Sequence, residues 1–313
     1  MKTDIKKLEK LLKLKTHNSI VSDLEKTAKD NYFVHTTKLF TIFVPITMQD
    51  DEIIPCVVSH TDTVSEKKPK KLSLSTDGVL TNPDGVLGAD DRAGVYIIYE
   101  MLKRNVKAIF ILTDLEECGG IGASACGEDL YFKTLAENNI SALIELDREN
   151  KDHCATYGYD NPDLIKIFEE KGGYKEEYGS YTDVATLSQH CDIACVNLSV
   201  GYYRQHSRNE YLVIEELTGT LNFMIDMPKE LYGTQYIIDD TYLGKYDNDW
   251  YNYGYSYGGS KRDDVASLKY EEVCCEICQE HDRLYKYEGV MICYDCLDWY
   301  ADYDDKWEFA SGM

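Results

Sequence analysis

Three carboxylates fall within four positions of the stretch AIFILTDLEECGGIG, which runs from Ala108 to Gly122. They are Asp114, Glu116 and Glu117, and they follow an apolar run that reads as a buried strand. Adjacent carboxylates at the end of a core strand repel each other and are costly to desolvate, so something must compensate them. Four other segments share the pattern. VVSHTDTV ends an apolar run with His60 and Asp62, and GVLGADDRAG sets Asp90 and Asp91 in a glycine-flanked turn before a helical segment. LIELDREN ends a strand with Asp147, and YYRQHSRNEYL carries His206 just past the strand VNLSVG. Imidazole and carboxylate are common zinc ligands, and a divalent cation offsets the charge that such a cluster accumulates. Taken singly, each element has an ordinary reading: a hydrogen-bonded histidine, a solvated Glu-Glu, or Asp90-Asp91 as a helix cap. Their common place at strand ends points to one site.

The elements that must position these residues alternate. Residues 4–30 carry apolar positions at helical spacing, broken near His17-Asn18, and KLFTIFVPI and IIPCVVSHTD read as strands separated by the turn TMQDDE. DRAGVYIIYEMLKRN reads as a helix and is followed by the strand of the opening stretch, a helix near 127–138 and the strand SALIELD. NPDLIKIFEEKGG reads as a helix with Pro162 near its start, followed by a helix around VATLSQH, the strand ACVNLSVG and a last helix, VIEELTGTLNFMIDM. This order predicts a three-layer α/β domain over residues 1–230 with a mostly parallel central sheet. In such sheets ligands bind outside the carboxyl ends of the strands, where segments distant in sequence converge.

The motifs, taken in order, resemble those of the co-catalytic dinuclear-zinc exopeptidases, the superfamily of peptidase T, the glutamyl and leucyl zinc aminopeptidases, and related carboxypeptidases and deacylases. The matching residues are His60-Thr-Asp62, Gly88-Ala-Asp90-Asp91-Arg-Ala-Gly94, Glu116-Glu117 followed by a glycine-rich turn, Asp147, and His206-Ser-Arg-Asn-Glu210. The resemblance implies that Asp90 bridges two zinc ions, with Asp91 the alternative one residue away. It implies that His60 and Asp147 complete one metal site and Glu117 and His206 the other. Asp62 would accept a hydrogen bond from the His60 ring, and Glu116 would be the general base. Two zinc ions about 3.5–4 Å apart can hold a hydroxide and polarise a scissile carbonyl, and cobalt or manganese could take their place. The activity implied is an aminopeptidase-like exopeptidase acting on short peptides. The alternatives are a deacylase or amidohydrolase with the same centre, and a non-catalytic zinc-binding interaction protein. Relatives insert a domain either between the first histidine and the bridging aspartate or between the third acid and the last histidine. Only 29 residues separate His60 from Asp90, and 58 separate Asp147 from His206, so a bare catalytic domain is expected. That leaves the substrate pocket and the oligomeric state open. Tyr181 to Asp183 stand where relatives carry a turn near the substrate, although ordinary helix capping would explain them equally. Arg204 and Arg208 flank His206, either as surface arginines or as partners of a substrate carboxylate.

The remainder of the chain has a different composition. Residues 231–313 hold 14 of the 26 tyrosines, and 231–268 read as a flexible Tyr/Gly/Asp-rich linker. In 269–313, Cys275-x-x-Cys278 and Cys293-x-x-Cys296 have the spacing of a four-cysteine structural zinc module resembling a zinc ribbon, with Cys274 and His281 as competing ligands. Stability or protein docking is the role expected of this module. Residues 231–313 carry 18 Asp and Glu against 7 Lys and Arg, and the whole chain has a formal net charge of −23, which weighs against nucleic-acid binding. The first residues lack the apolar core of a signal peptide, and no stretch approaches the length of a membrane span, so a cytoplasmic location is expected. Cys56, Cys118, Cys126, Cys154, Cys191 and Cys195 have no ligand spacing and are expected as buried thiols.

Overall fold

The computed structural model describes residues 2–65, 67–239, 284–287 and 290–293. The chain divides into two units, Met1–Leu243 and Gly244–Met313. In the second unit the described residues form an antiparallel pair of strands, Leu284–Tyr287 and Val290–Cys293. Cys275, Cys278 and Cys296, with Cys274, His281 and linker residues 240–268, lie outside the described residues.

The first unit opens with α1 (Ile5–Leu12), capped by the Asp4 side chain, and α2 (His17–Ala28), capped by a reciprocal Thr16–Ser19 box. The break in helical spacing near residue 17 is therefore the start of a second helix. Leu8, Leu11, Ile20 and Leu24 are fully buried in the core. Next come β1 (Tyr32–Thr36), β2 (Phe40–Pro45) and β3 (Ile54–His60). Every position of β2 and β3 is buried, as expected of apolar strands covered on both faces. A short hairpin, β4 (Ser73–Leu74) and β5 (Val79–Thr81), leads into α3 (Ala89–Lys103). The order continues with β6 (Ile109–Thr113), α4 (Ile121–Glu128), α5 (Leu130–Asn138), β7 (Ile140–Arg148), β8 (His153–Thr156), α6 (Pro162–Gly172) and β9 (Lys175–Tyr178). It closes with α7 (Asp183–Gln189), β10 (Cys195–Ser199), β11 (Tyr202–Tyr203), β12 (Tyr211–Val213) and α8 (Ile214–Asp226).

The main sheet has eight strands in the order β1-β2-β6-β3-β7-β10-β8-β9. Its four central strands, β6, β3, β7 and β10, are parallel, and β2 and β8 flank them antiparallel. Ser59 and Glu145 point to opposite faces of this sheet, towards α3 and α7 respectively, so helices cover both sides. The expected three-layer α/β fold is observed. Helix α3 approaches the sheet so closely that a Cβ on Gly94 would overlap the Leu146 carbonyl and the Ser59 hydroxyl, which is why glycine stands there. A second, antiparallel sheet has the order β11-β12-β5-β4. Among the described residues, the intervals His60–Asp90 and Asp147–His206 hold only elements of these two sheets and their covering helices.

Two boundaries differ from expectation. The first unit does not end at residue 230. Gly233 donates to the Ile53 carbonyl, Tyr236 to Ser141, and Ala194 donates back to Tyr236, so residues 231–239 are strapped across β7 and β10. Their backbone groups replace missing sheet partners, which a tyrosine-rich composition does not reveal. Helix α4 is also unexpected, because its small residues IGASACGE carry no apolar stripe. Among the described residues, no helix is long and apolar enough to cross a membrane.

Candidate metal centre

His60, the Glu116-Glu117 pair and Asp147 follow or end β3, β6 and β7, whose carboxyl ends open on the same edge of the parallel sheet. Asp90 enters at the start of α3, in non-helical backbone joined to Asp91 by a cis peptide bond. His206 does not follow a main-sheet strand. It sits on the β11–β12 connection of the second sheet, half-exposed and at φ +59°. Leu115, beside Glu116, is also left-handed, at φ +61°. Non-glycine residues in this region cost about 1–3 kcal/mol each and persist where the surroundings impose them, commonly at functional sites.

Asp90 links two clusters. Its Oδ1 lies 3.0 Å from His60 Nε2, which is 3.6 Å from Asp147 Oδ1. Its Oδ2 lies 3.1 Å from His206 Nε2, which is 3.0 Å from Glu117 Oε2. Candidate ligand atoms within each trio, and also those of His60, Glu116 and Glu117, all lie within 4.8 Å of one another. Asp91 is committed elsewhere: its two oxygens accept the backbone N–H groups of His60 and Gly94. Of the two aspartates, Asp90 is the one whose oxygens reach both imidazoles.

The surrounding side chains fix the candidate ligands. Asp62 accepts from His60 Nδ1 at 3.2 Å and also from the Glu116 and Glu117 amides at 3.0 Å each. Tyr202 donates its hydroxyl to Asp147 Oδ1 at 3.0 Å, and Asn197 brackets the Asp147 backbone from both sides. Glu210 accepts the amides of Gly88, Ala89 and Asp90, which holds the turn that presents Asp90. Glu210 is visible within the sequence motif; nothing in the sequence singles out Tyr202 or Asn197. Asp114 accepts from the Thr61 hydroxyl at 3.0 Å, and His17 reaches the same hydroxyl at 2.8 Å. The third acid of the opening stretch therefore braces the loop behind Asp62.

Tyr181 to Asp183 lie against the glutamate loop. Gly120, at φ +68°, faces the Tyr181 hydroxyl so closely that a Cβ would overlap it. Thr182 donates to Glu145, while Asp183 accepts from Thr113 and its Oδ1 is buried without a partner. Arg204 and Arg208 are exposed on either side of His206. Cys56, Cys126, Cys154 and Cys195 are buried thiols as expected. Cys118 is not: it is exposed, because it follows Glu117 into a turn that faces solvent. Cys191 is intermediate.

Charge in this cluster is unbalanced. Burial opposes ionisation of Asp90, but hydrogen bonds from His206 and His60 outweigh it and hold the carboxyl well below its usual range. Hydrogen bonds to Asp90 and Glu117 push His206 up to about 10. Burial would lower His60, yet Asp147 and the hydrogen-bonded carboxylates raise it well above its ordinary value. Burial, with repulsion from Asp90, raises Asp147 to about 7. Glu116 is pushed up to about 10 by burial, against the attraction of His60. Burial thus favours the neutral forms of Asp147 and Glu116, while the neighbouring carboxylates favour the charged imidazoles and Asp90 stays ionised. Glu117 Oε1 is buried and unpartnered, an acceptor left open in the second trio. Two imidazoles, a shared carboxylate and two terminal carboxylates are a donor set suited to two divalent cations such as zinc.

The fold that carries this centre is the zinc-exopeptidase-like α/β fold. No family model matches the sequence, and no curated protein matches it. Solved structures do. Aminopeptidase PepT from Bacillus cereus is similar with a TM-score of 0.58 and 16% identity, over 72% of this chain and 97% of that one. A tripeptidase from Staphylococcus aureus gives a TM-score of 0.57 at 14% identity, over 72% and 96% of the two chains. An aminopeptidase from the archaeon Desulfurococcus kamchatkensis gives 0.55 at 12% identity, over 72% and 94%.

Proposed function

We propose that this chain is a metal-dependent, aminopeptidase-like exopeptidase that hydrolyses short peptides. One observation carries the reading: a single buried carboxylate, Asp90, directs one oxygen to each of two separate imidazole–carboxylate clusters. In this reading Asp90, His60 and Asp147 hold one cation, and Asp90, Glu117 and His206 hold the other. When bound, the pair supplies an activated water and a Lewis acid for the scissile carbonyl, with zinc the metal that the donor set suits best. The chain's own residues do the rest. Asp62 fixes the His60 tautomer and sets Glu116 and Glu117 side by side by holding both of their amides. Glu116 is the proton carrier, taking a proton from the attacking water and returning it to the leaving amine. The fold shared with an aminopeptidase and a tripeptidase supports the same reading.

The test measures metal content and release of amino acids from a peptide library on the same sample. Glu116→Gln should keep its metal and lose turnover by roughly 10²–10⁴-fold. Glu117→Gln should lose metal occupancy. Identical behaviour of the two variants would overturn the division of roles. Release from acylated amino acids, with no peptide cleaved, would replace the exopeptidase by a deacylase.

A further inference from the structure

β1 is the first strand of the eight-stranded order and pairs on one side only, with β2. Asn31 accepts from the Ile46 amide, and Thr37 donates to the Phe40 carbonyl. Peptide groups alternate along an antiparallel strand, so the backbone groups of Asn31, Phe33, His35 and Thr37 face β2, and those of Tyr32, Val34 and Thr36 face outward. Opposite Tyr32 stands Pro45, which has no N–H to offer, in agreement with this phase. Among the described residues, the outward groups have no hydrogen-bond partner. Edge strands are commonly blunted by a charge, a proline or a bulge. β1 has none of these: YFVHT contains no Lys, Arg, Asp, Glu or Pro, and its register with β2 is unbroken. The most exposed large apolar side chains of the described residues gather at the same edge: Leu130 at 78%, Ile46 at 61% and Phe33 at 54%. Phe33 lies edge-on against Tyr131, the neighbour of Leu130 on α5, and the His35 ring packs on Tyr131 while its Nε2 meets Asp129 at 3.2 Å. Apolar side chains beside open backbone groups mark an association surface.

This edge is complementary to itself. With a two-fold axis at Val34, two antiparallel copies of β1 set Val34 against Val34 and Tyr32 against Thr36, so the outward groups meet as hydrogen-bonded pairs. The same register places Phe33 opposite the second copy's His35, in the type of pair where side chains come closest, and the axis repeats that aromatic contact. Charge favours the same occupant. Lys29 and Asp30 stand at one end of the strand and Lys38 at the other, with no acid between them. Antiparallel pairing brings Asp30 to the Lys38 end of the second copy, and Asp129 is already committed to His35. Two chains with a formal charge of −23 each repel over most of their surfaces, whereas along this strand and its flanks no acid is set against an acid.

We propose that β1 pairs with β1 of a second copy of this chain, joining two eight-stranded sheets into one across a two-fold axis and covering Phe33 and Leu130 at the seam. The dimer is independent of the metal centre and of the exopeptidase reading. Sedimentation velocity of the full chain over a concentration series tests it, with Val34→Pro and Phe33→Lys alongside. The wild type should sediment as a dimer. Val34→Pro removes an outward N–H and no bond to β2, a change that edge strands accept. Phe33→Lys alters an exposed side chain, and it decides the matter if Val34→Pro fails to fold. Because the axis repeats each change, both variants should weaken association about 10- to 100-fold. Val34→Cys should cross-link to its own copy at position 34 under mild oxidation, as read by mass spectrometry, since paired Cα atoms about 5.5 Å apart allow a disulfide. A wild type that stays monomeric across the series would overturn the proposal, in favour of an edge covered by residues 240–313 or left open. A dimer that both variants leave intact, or that Val34→Cys does not cross-link at position 34, would overturn it as well.

Discussion

Asp62 is the residue at which the geometry makes its sharpest demand. Oδ1 accepts from both His60 Nδ1 and the Glu116 amide, while Oδ2 accepts from the Glu117 amide. Replacing Asp62 by Asn keeps the shape but turns one oxygen into an NH2 group. In either orientation that group faces a backbone N–H, because both oxygens of Asp62 are acceptors of such groups. One donor at this site, where Asp62 is only 14% exposed, is then left unsatisfied at a cost of about 1–3 kcal/mol. At about 1.4 kcal/mol per decade, this is roughly a 5- to 150-fold shift against the ordered loop. Loss of an outer partner of a metal-ligating histidine typically costs 10–100-fold in metal affinity, which falls in the same range. Asp62→Asn is therefore expected to bind zinc about 10- to 100-fold more weakly in a chelator-buffered titration. Its kcat/KM should fall at zinc concentrations that saturate the wild type. Zinc affinity within twofold of the wild type, with kcat/KM unchanged, would refute the reasoning.

Two further predictions concern the frame around the site. Gly120→Ala places a methyl against the Tyr181 hydroxyl at a left-handed position, which should cost about 1–3 kcal/mol. A unit of this size should lose about 2–4 °C of Tm per kcal/mol, so an unchanged melting curve would contradict the packing described. His17 is buried between Thr61 and Thr41, and burial lowers its imidazole to about 4. The unfolded chain, titrating near 6.5, takes up that proton first. The contribution is therefore fully present above about pH 6.5 and is lost as pH falls towards 4, amounting to about 3 kcal/mol. His17→Gln should flatten this acid limb in chemical-denaturation curves, and identical limbs in both proteins would sink the assignment.

The alternation of apolar runs and helical spacings makes the α/β fold readable, because each central strand is buried on both faces and leaves a continuous apolar signature. His60, Glu117 and Asp147 are readable for a related reason, since ionisable groups at the ends of such strands are conspicuous. His206 is legible by type but not by position: it arrives from the small second sheet, whose strands of two or three residues have no period to detect. The double duty of Asp62 and the bracing by Glu210 and Asp114 are not legible, because they are made to backbone amides or hydroxyls folded in from elsewhere.

The central claim is that Asp90 bridges two cations held by separate trios. Anomalous-scattering crystallography of the full chain loaded with zinc, collected on either side of the zinc absorption edge, tests it most directly. Two peaks about 3.5–4 Å apart are expected, one beside His60 and Asp147 and the other beside Glu117 and His206, with Asp90 between them. A single peak, or zinc bound without Asp90, would contradict it.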